Sequence, residues 1–221
     1  MRSLSHIGRW PLALVLLILP CVCIELVLQG ADHGLWGAPR WRALAYQFGA
    51  FWPGLLSGWR PNFGAQPWLM FLSYAFLHGG LMHLIVNMIT MVSLGGAVIN
   101  YVGQRRFLAI YVGATILGGA AFAFLAASGF RPMVGASGAL FGLAGALIVW
   151  NSRLILRQRP GWMRATATIA WPLGILTVLN VLMYVGTGGA VAWETHLGGF
   201  LAGAVMALPM EPRETDHPRG G

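Results

Sequence analysis

A chain of 221 residues could form one soluble domain, but 57% hydrophobic residues, 9% charged residues and a mean hydropathy of +0.68 leave too little polar surface to keep it in solution. The formal charge of +8 comes from fourteen basic residues, all Arg, against six acids, and the Arg residues punctuate apolar segments instead of clustering, which argues against nucleic acid as a partner. The composition points to an all-α, polytopic membrane protein whose solvent is the lipid bilayer.

Six segments have the length and polarity to cross that bilayer, which takes about 20 helical residues. Residues 1–9 precede them as an N-terminal segment, and residues 10–28 form the first span. Arg2 and Arg9 ahead of this apolar core would also suit a secretory signal. No A-x-A-like cleavage site follows, however, and Glu25-Leu26-Val27-Leu28 prolongs the run, so a retained span is expected. The only cysteines, Cys21 and Cys23, lie inside this span, so neither a disulfide framework nor a Cys-based zinc site is legible.

Residues 30–67 are too long for a turn and too broken by Gly and Pro for a span. Trp36, Trp41, Trp52 and Trp59, with Trp68 just beyond, make this stretch aromatic-rich, and "RWRALAYQFGAFW" reads as an amphipathic helix anchored in the headgroup layer. Further spans are expected at 79–100, 107–127, 137–151, 165–185 and 193–208, the fourth and sixth short for a full crossing. Residues 209–221 read as a polar, disordered tail. With both termini in the cytoplasm, ten Arg residues lie inside and four (Arg40, Arg42, Arg60 and Arg131) outside, so the positive-inside rule favours that orientation. The second, fourth and sixth spans then begin on the outer side.

Polar groups at membrane depth need a partner or a cavity. "HGGLMHLIVNM" opens the second span with His83 and Asn87 at i and i+4, "GASG" (Gly135 to Gly138) opens the fourth with Ser137, and "ETHLGGFLAGA" opens the sixth with His196. A Ser and a His at one depth on neighbouring helices are the minimum for nucleophilic hydrolysis. Glu194 is two residues from His196 and on a regular helix faces away, so a Ser-His dyad is expected over a triad, with Glu194 an interfacial charge. The Ser137 backbone N–H, His83 and Asn87 are candidate donors to a developing oxyanion. Asn87 could equally be an interhelical hydrogen bond, and His78 reads as a partner for the long loop.

Gly138, Gly142 and Gly145 on one span and Gly199 and Gly203 on another would let two backbones approach closely enough for Ser137 and His196 to touch; taken alone, a GxxxG is ordinary helix glue. A solute path is the rival arrangement, but it needs polar groups through the full thickness, and only Asn180 and a few Ser and Thr residues would continue it.

The set "HGGLMHLIVNM", "GASG" and "THLGGFLAGA", in that order on the even spans, resembles the rhomboid family of intramembrane serine proteases. The resemblance implies a six-transmembrane-helix bundle with a membrane-embedded first loop at residues 30–67. It implies Ser137 as nucleophile, His196 as base and His83 and Asn87 as oxyanion-region donors, with no cofactor and no metal. Transmembrane proteins would be the substrates, cut near the outer face of a bacterial inner membrane, and the fifth span and the loop after it the gate. Two positions depart from the family pattern. Phe141 stands where many members carry a Tyr that stacks on the catalytic His, and Met70 stands where many carry an Arg, whose role is then absent or passed to a residue such as Arg60. The sequence carries no signal for oligomeric state.

Overall fold

In the computed structural model, which describes residues 11–126 and 130–211, the apolar runs become helices among which no strand occurs. The expected segment 1–9 and the tail beyond residue 211 lie outside the described residues. The first span is α1 (Leu12–Asp32). The long loop that follows holds α2 (Trp41–Gly49) within the amphipathic stretch, a 3-10 turn at Pro53–Leu56, and α3 (Gln66–Ser73).

The second span runs Leu81–Val102 as α4 (Leu81–Thr90), a π-helical turn (Met91–Gly95) and α5 (Gly96–Val102). Then come α6 (Gln104–Leu125), α7 (Ser137–Leu156), α8 (Trp162–Gly186) and α9 (Trp193–Ala207). Five of these spans are long and apolar enough to cross a membrane; α9, at 15 residues, is shorter.

Most boundaries shift by a few residues from the sequence expectation, and α1 continues past residue 28 to Asp32. Helix α7 continues past residue 151 to Leu156, and Arg153 in its last turn donates to Leu208 O at the end of α9 at 2.6 Å. Helix α3 was hidden by Pro67, which looks like a breaker but sits in the first helical turn, where its missing N–H costs nothing. His78 precedes α4 and is not part of it.

Helices α6, α7 and α9 form the centre, and their approach is set by residues without side chains. A Cβ built on Gly199 would run into the Gly138 carbonyl, and one on Gly203 into the Gly142 carbonyl. Only Gly permits α7 and α9 to meet backbone to backbone at these two levels. Around this centre a core of Leu14, Met91, Val98, Phe107, Ile110 and Leu143 joins α1 and the second span to α6 and α7. At the far end, Trp150 Nε1 donates to Ala207 O at 3.1 Å, closing α7 on the C-terminal turn of α9. By contrast, α8 buries no residue.

The first loop is tied to α1 and to the approach to α4. Glu25, fully buried on α1, accepts two bonds from Arg42 at 2.8 and 3.0 Å; Arg42 also donates to Asp32 at 2.6 Å and to the His78 carbonyl at 3.0 Å. Tyr46 donates to the same carbonyl at 2.7 Å. A buried carboxylate is tolerable only with such a partner set. Arg42 therefore holds the loop, and Arg60, the residue the sequence suggested, does not join this network. Met70 is fully buried against Phe51 and Tyr74, as an apolar residue there should be.

Candidate active site

Ser137 is the first residue of α7, and the chain reaches it under constraint. Phe51 and Met133 pair as an isolated antiparallel bridge, and Gly135 N donates to Tyr74 O at 2.9 Å. Gly135 has φ 121°, a conformation that L side chains rarely adopt, and a Cβ there would meet the His83 ring. The turn thus seats the Ser137 hydroxyl beside His83 and leaves the first amides of α7, including its own, without an intrahelical acceptor.

His196 lies one turn into α9, 3% exposed. Its Nε2 is 2.8 Å from Ser137 Oγ. Its ring stacks on Phe141, with centroids 4.2 Å apart and planes 5° from parallel, so the face that a Tyr would offer is supplied without the hydroxyl. Its Nδ1 is 2.8 Å from Asn180 Oδ1 on α8. The sequence offered Asn180 only as part of a solute path. Its signal as a site residue was its isolation: a lone amide in an apolar helix needs a partner on another element.

His83 accepts from Gly79 N at its Nδ1, 3.1 Å away, which leaves the proton on Nε2, the edge lying against Gly135 and facing the Ser137 side. Asn87 donates one amide hydrogen to His83 O at 2.8 Å; its Oδ1 is buried without a partner, and it does not line the cavity described next. Ser137, His196 and His83 are therefore together, and Asn87 sits behind His83 with its second N–H unassigned. Gly138 packs against Thr195 and the Tyr74 hydroxyl, while Gly199 and Gly203 form the seam beneath the pair.

Ser137, His196 and His83 line a cavity of about 1040 Å³. Met82, His83 and Val86 of α4 form one wall, Met183 and Tyr184 of α8 with Thr187 just beyond it another, and Arg131 and Glu194 also line it. Glu194 corrects the sequence reading: it is 8% exposed and belongs to the cavity, because it lies in the first turn of α9 where the chain arrives from the loop over the site. It forms no hydrogen bond to His196, and its Oε2 has no partner among the described residues. Among the same residues, no three His, Cys, Asp or Glu side chains converge to hold a metal ion.

A rhomboid-domain profile matches residues 65–213, about two thirds of the chain, and so takes in every residue of this cluster. The chain belongs to the rhomboid family. It is an integral membrane protein, 38% identical over 137 residues to "RHOMBOID-like protein 5" of Arabidopsis thaliana, a match covering 62% of this chain and 42% of that one. It is 35% identical over 150 residues to "Rhomboid protease GluP" of Bacillus subtilis, covering 64% of this chain and 27% of the relative. To "Rhomboid-type serine protease 2" of Emericella nidulans it is 27% identical over 148 residues, 64% and 26% of the two chains. The chain thus spans less than half the length of these relatives. A plant, a bacterium and a fungus are represented among them.

Proposed function

We propose that this rhomboid is an intramembrane serine endopeptidase that cuts transmembrane proteins near the outer face through Ser137 and His196. The observation that carries the reading is the 2.8 Å approach of Ser137 Oγ to His196 Nε2 inside a cavity at one end of the spans. The imidazole takes the hydroxyl proton as Oγ attacks the scissile carbonyl, then gives it to the leaving amine; water, deprotonated by the same nitrogen, releases the acyl group. The oxyanion is met by the Ser137 N–H at the α7 N-terminus and by His83 Nε2–H; Asn87, behind His83 and outside the cavity lining, joins them only if its second N–H turns toward the site. Relatives named as rhomboid proteases support the reaction class.

In this reading six helices cross the bilayer, α9 included, the loop at 30–67 lies in the interface, and both termini face the cytoplasm of a bacterial inner membrane. Ten of the fourteen Arg residues then lie on the cytoplasmic side. Cysteine tags at Gly103 and Gly161 should react from the cytoplasm and a tag at Gly188 from outside; the reverse pattern overturns the orientation.

The decisive experiment co-expresses this chain and its Ser137→Ala form with a panel of tagged transmembrane segments. Cleavage by the first and not the second supports the proposal, as does fluorophosphonate labelling lost in the alanine form. Equal cleavage by both sinks it.

A further inference from the structure

We infer that Asn180 is a positioning residue that fixes the tautomer of His196 from the neighbouring helix; the inference rests on His196 acting as the base. An amide oxygen can only accept, so the 2.8 Å contact between Asn180 Oδ1 and His196 Nδ1 requires the imidazole proton to sit on Nδ1. Nε2 is then bare and able to take the Ser137 proton across the second 2.8 Å contact. With the proton on Nε2 instead, the ring would donate to Ser137 Oγ and could not act as its base. After transfer, the imidazolium still donates from Nδ1 to the same oxygen, so the contact survives the step.

Helix α8 supports this role by what it otherwise lacks. Its threonine hydroxyls are spent locally: Thr166, Thr168 and Thr177 each donate to a carbonyl of their own helix, and Thr187, just past its end, donates to Met183 O. Asn180 is the α8 side chain with a hydrogen bond to another helix among the described residues, in a helix that buries nothing. An amide in such a helix costs free energy of insertion unless it is partnered, and its partner here is the ring nitrogen facing away from the nucleophile. Phe141 sets the plane of the ring, and Asn180 sets which nitrogen is bare. Because Asn180 rides on α8, any displacement of α8 away from α9 releases the lock while leaving the stacked ring in place.

The test uses the full chain in phosphatidylglycerol-phosphatidylethanolamine nanodiscs, with Asn180→Leu, close in volume and apolar, and Asn180→Asp, which keeps an acceptor. Nitrogen-15 spectra of histidine-labelled protein should show a single Nδ1–H tautomer for His196 in the wild type and a mixture in Asn180→Leu. Turnover of a cleaved transmembrane substrate should fall about 10- to 100-fold in Asn180→Leu with KM within about twofold, a part of the 10²–10⁴ that positioned proton transfer supplies. Asn180→Asp should recover most of the rate and the single tautomer. An unchanged tautomer in Asn180→Leu, or wild-type turnover, overturns the inference. Failure of the protease reading looks different: Ser137→Ala cleaves as the wild type does, whatever the His196 spectrum shows.

Discussion

Phe51 and Met133 exchange both backbone hydrogen bonds, at 3.0 Å each, so the first loop and the approach to Ser137 are one piece of structure. Phe51 is fully buried, edge-on to Phe71, Tyr74 and Phe122 with centroids 4.9, 5.9 and 6.0 Å away. Phe51→Ala should lower stability by about 3–5 kcal/mol, the usual range for emptying such a site. It should also lower turnover per folded molecule, since the segment carrying Ser137 loses its clamp. Thermal unfolding and active-site titration by a fluorophosphonate separate the two effects. A full rate per titrated site would show that the bridge does not position the serine.

Gly203→Ala should damage the site without touching a polar residue. The added methyl would press on the Gly142 backbone, forcing α7 and α9 apart and stretching the Ser137–His196 contact. Gly161→Ala, where a methyl meets open space, is the matched control and should leave activity unchanged. The two variants are compared by melting temperature and probe-labelling rate; equal behaviour contradicts the role given to the seam.

Asn87 admits two roles with different signatures. As an oxyanion donor, Asn87→Ala should lower kcat about a hundredfold with melting temperature and KM nearly unchanged. As packing, its loss should cost stability of about 0.6 to 1.7 kcal/mol, with activity following the folded fraction. A His83→Ala, Asn87→Ala cycle extends the test, because two donors to one oxyanion should be less than additive. Near-wild-type turnover per folded Asn87→Ala molecule removes it from the oxyanion site.

His78 predicts an acid limit to stability. It is fully buried before α4, its ring 5.3 Å from that of His83, and neither ring nitrogen closes a hydrogen bond. Burial first, and the adjacent His83 second, push it down to about 4, the Phe76 backbone opposing weakly. The unfolded chain takes up this proton near pH 6.5, so the stability is whole above that pH and is lost as pH falls toward 4. The full loss is on the order of 3 kcal/mol. The ionisable neighbours are His83 beside the ring, Arg42 and Tyr46 at the His78 carbonyl, and Glu25 beyond Arg42. Melting curves in detergent between pH 7.5 and 4 should be less acid-sensitive for His78→Phe than for the wild type; equal slopes discard the assignment.

The spans and the grouping of His83, Ser137 and His196 were readable because lipid makes periodicity and isolated polar groups conspicuous. The Arg42–Glu25 network was not, since it joins residues seventeen apart through a loop whose path no local pattern encodes. Glu194 was misread because helical spacing says nothing of a first turn capped by a loop over a cavity. Asn180 was visible as an anomaly but not as a neighbour of His196, sixteen residues on, because the turn between α8 and α9 decides which faces meet.

A helix that buries nothing in its own protein takes its posture from the membrane. Helix α8 has 25 residues, about 37 Å of length against a hydrocarbon layer of about 30 Å, and hydrophobic mismatch is relieved by tilt. Thicker bilayers bring such a helix upright and thinner ones lean it over, at fractions of a kcal/mol per ångström. Acyl-chain length therefore acts on the angle of the wall that carries Asn180, and lipid composition becomes a variable of the site in the same sense as temperature or salt.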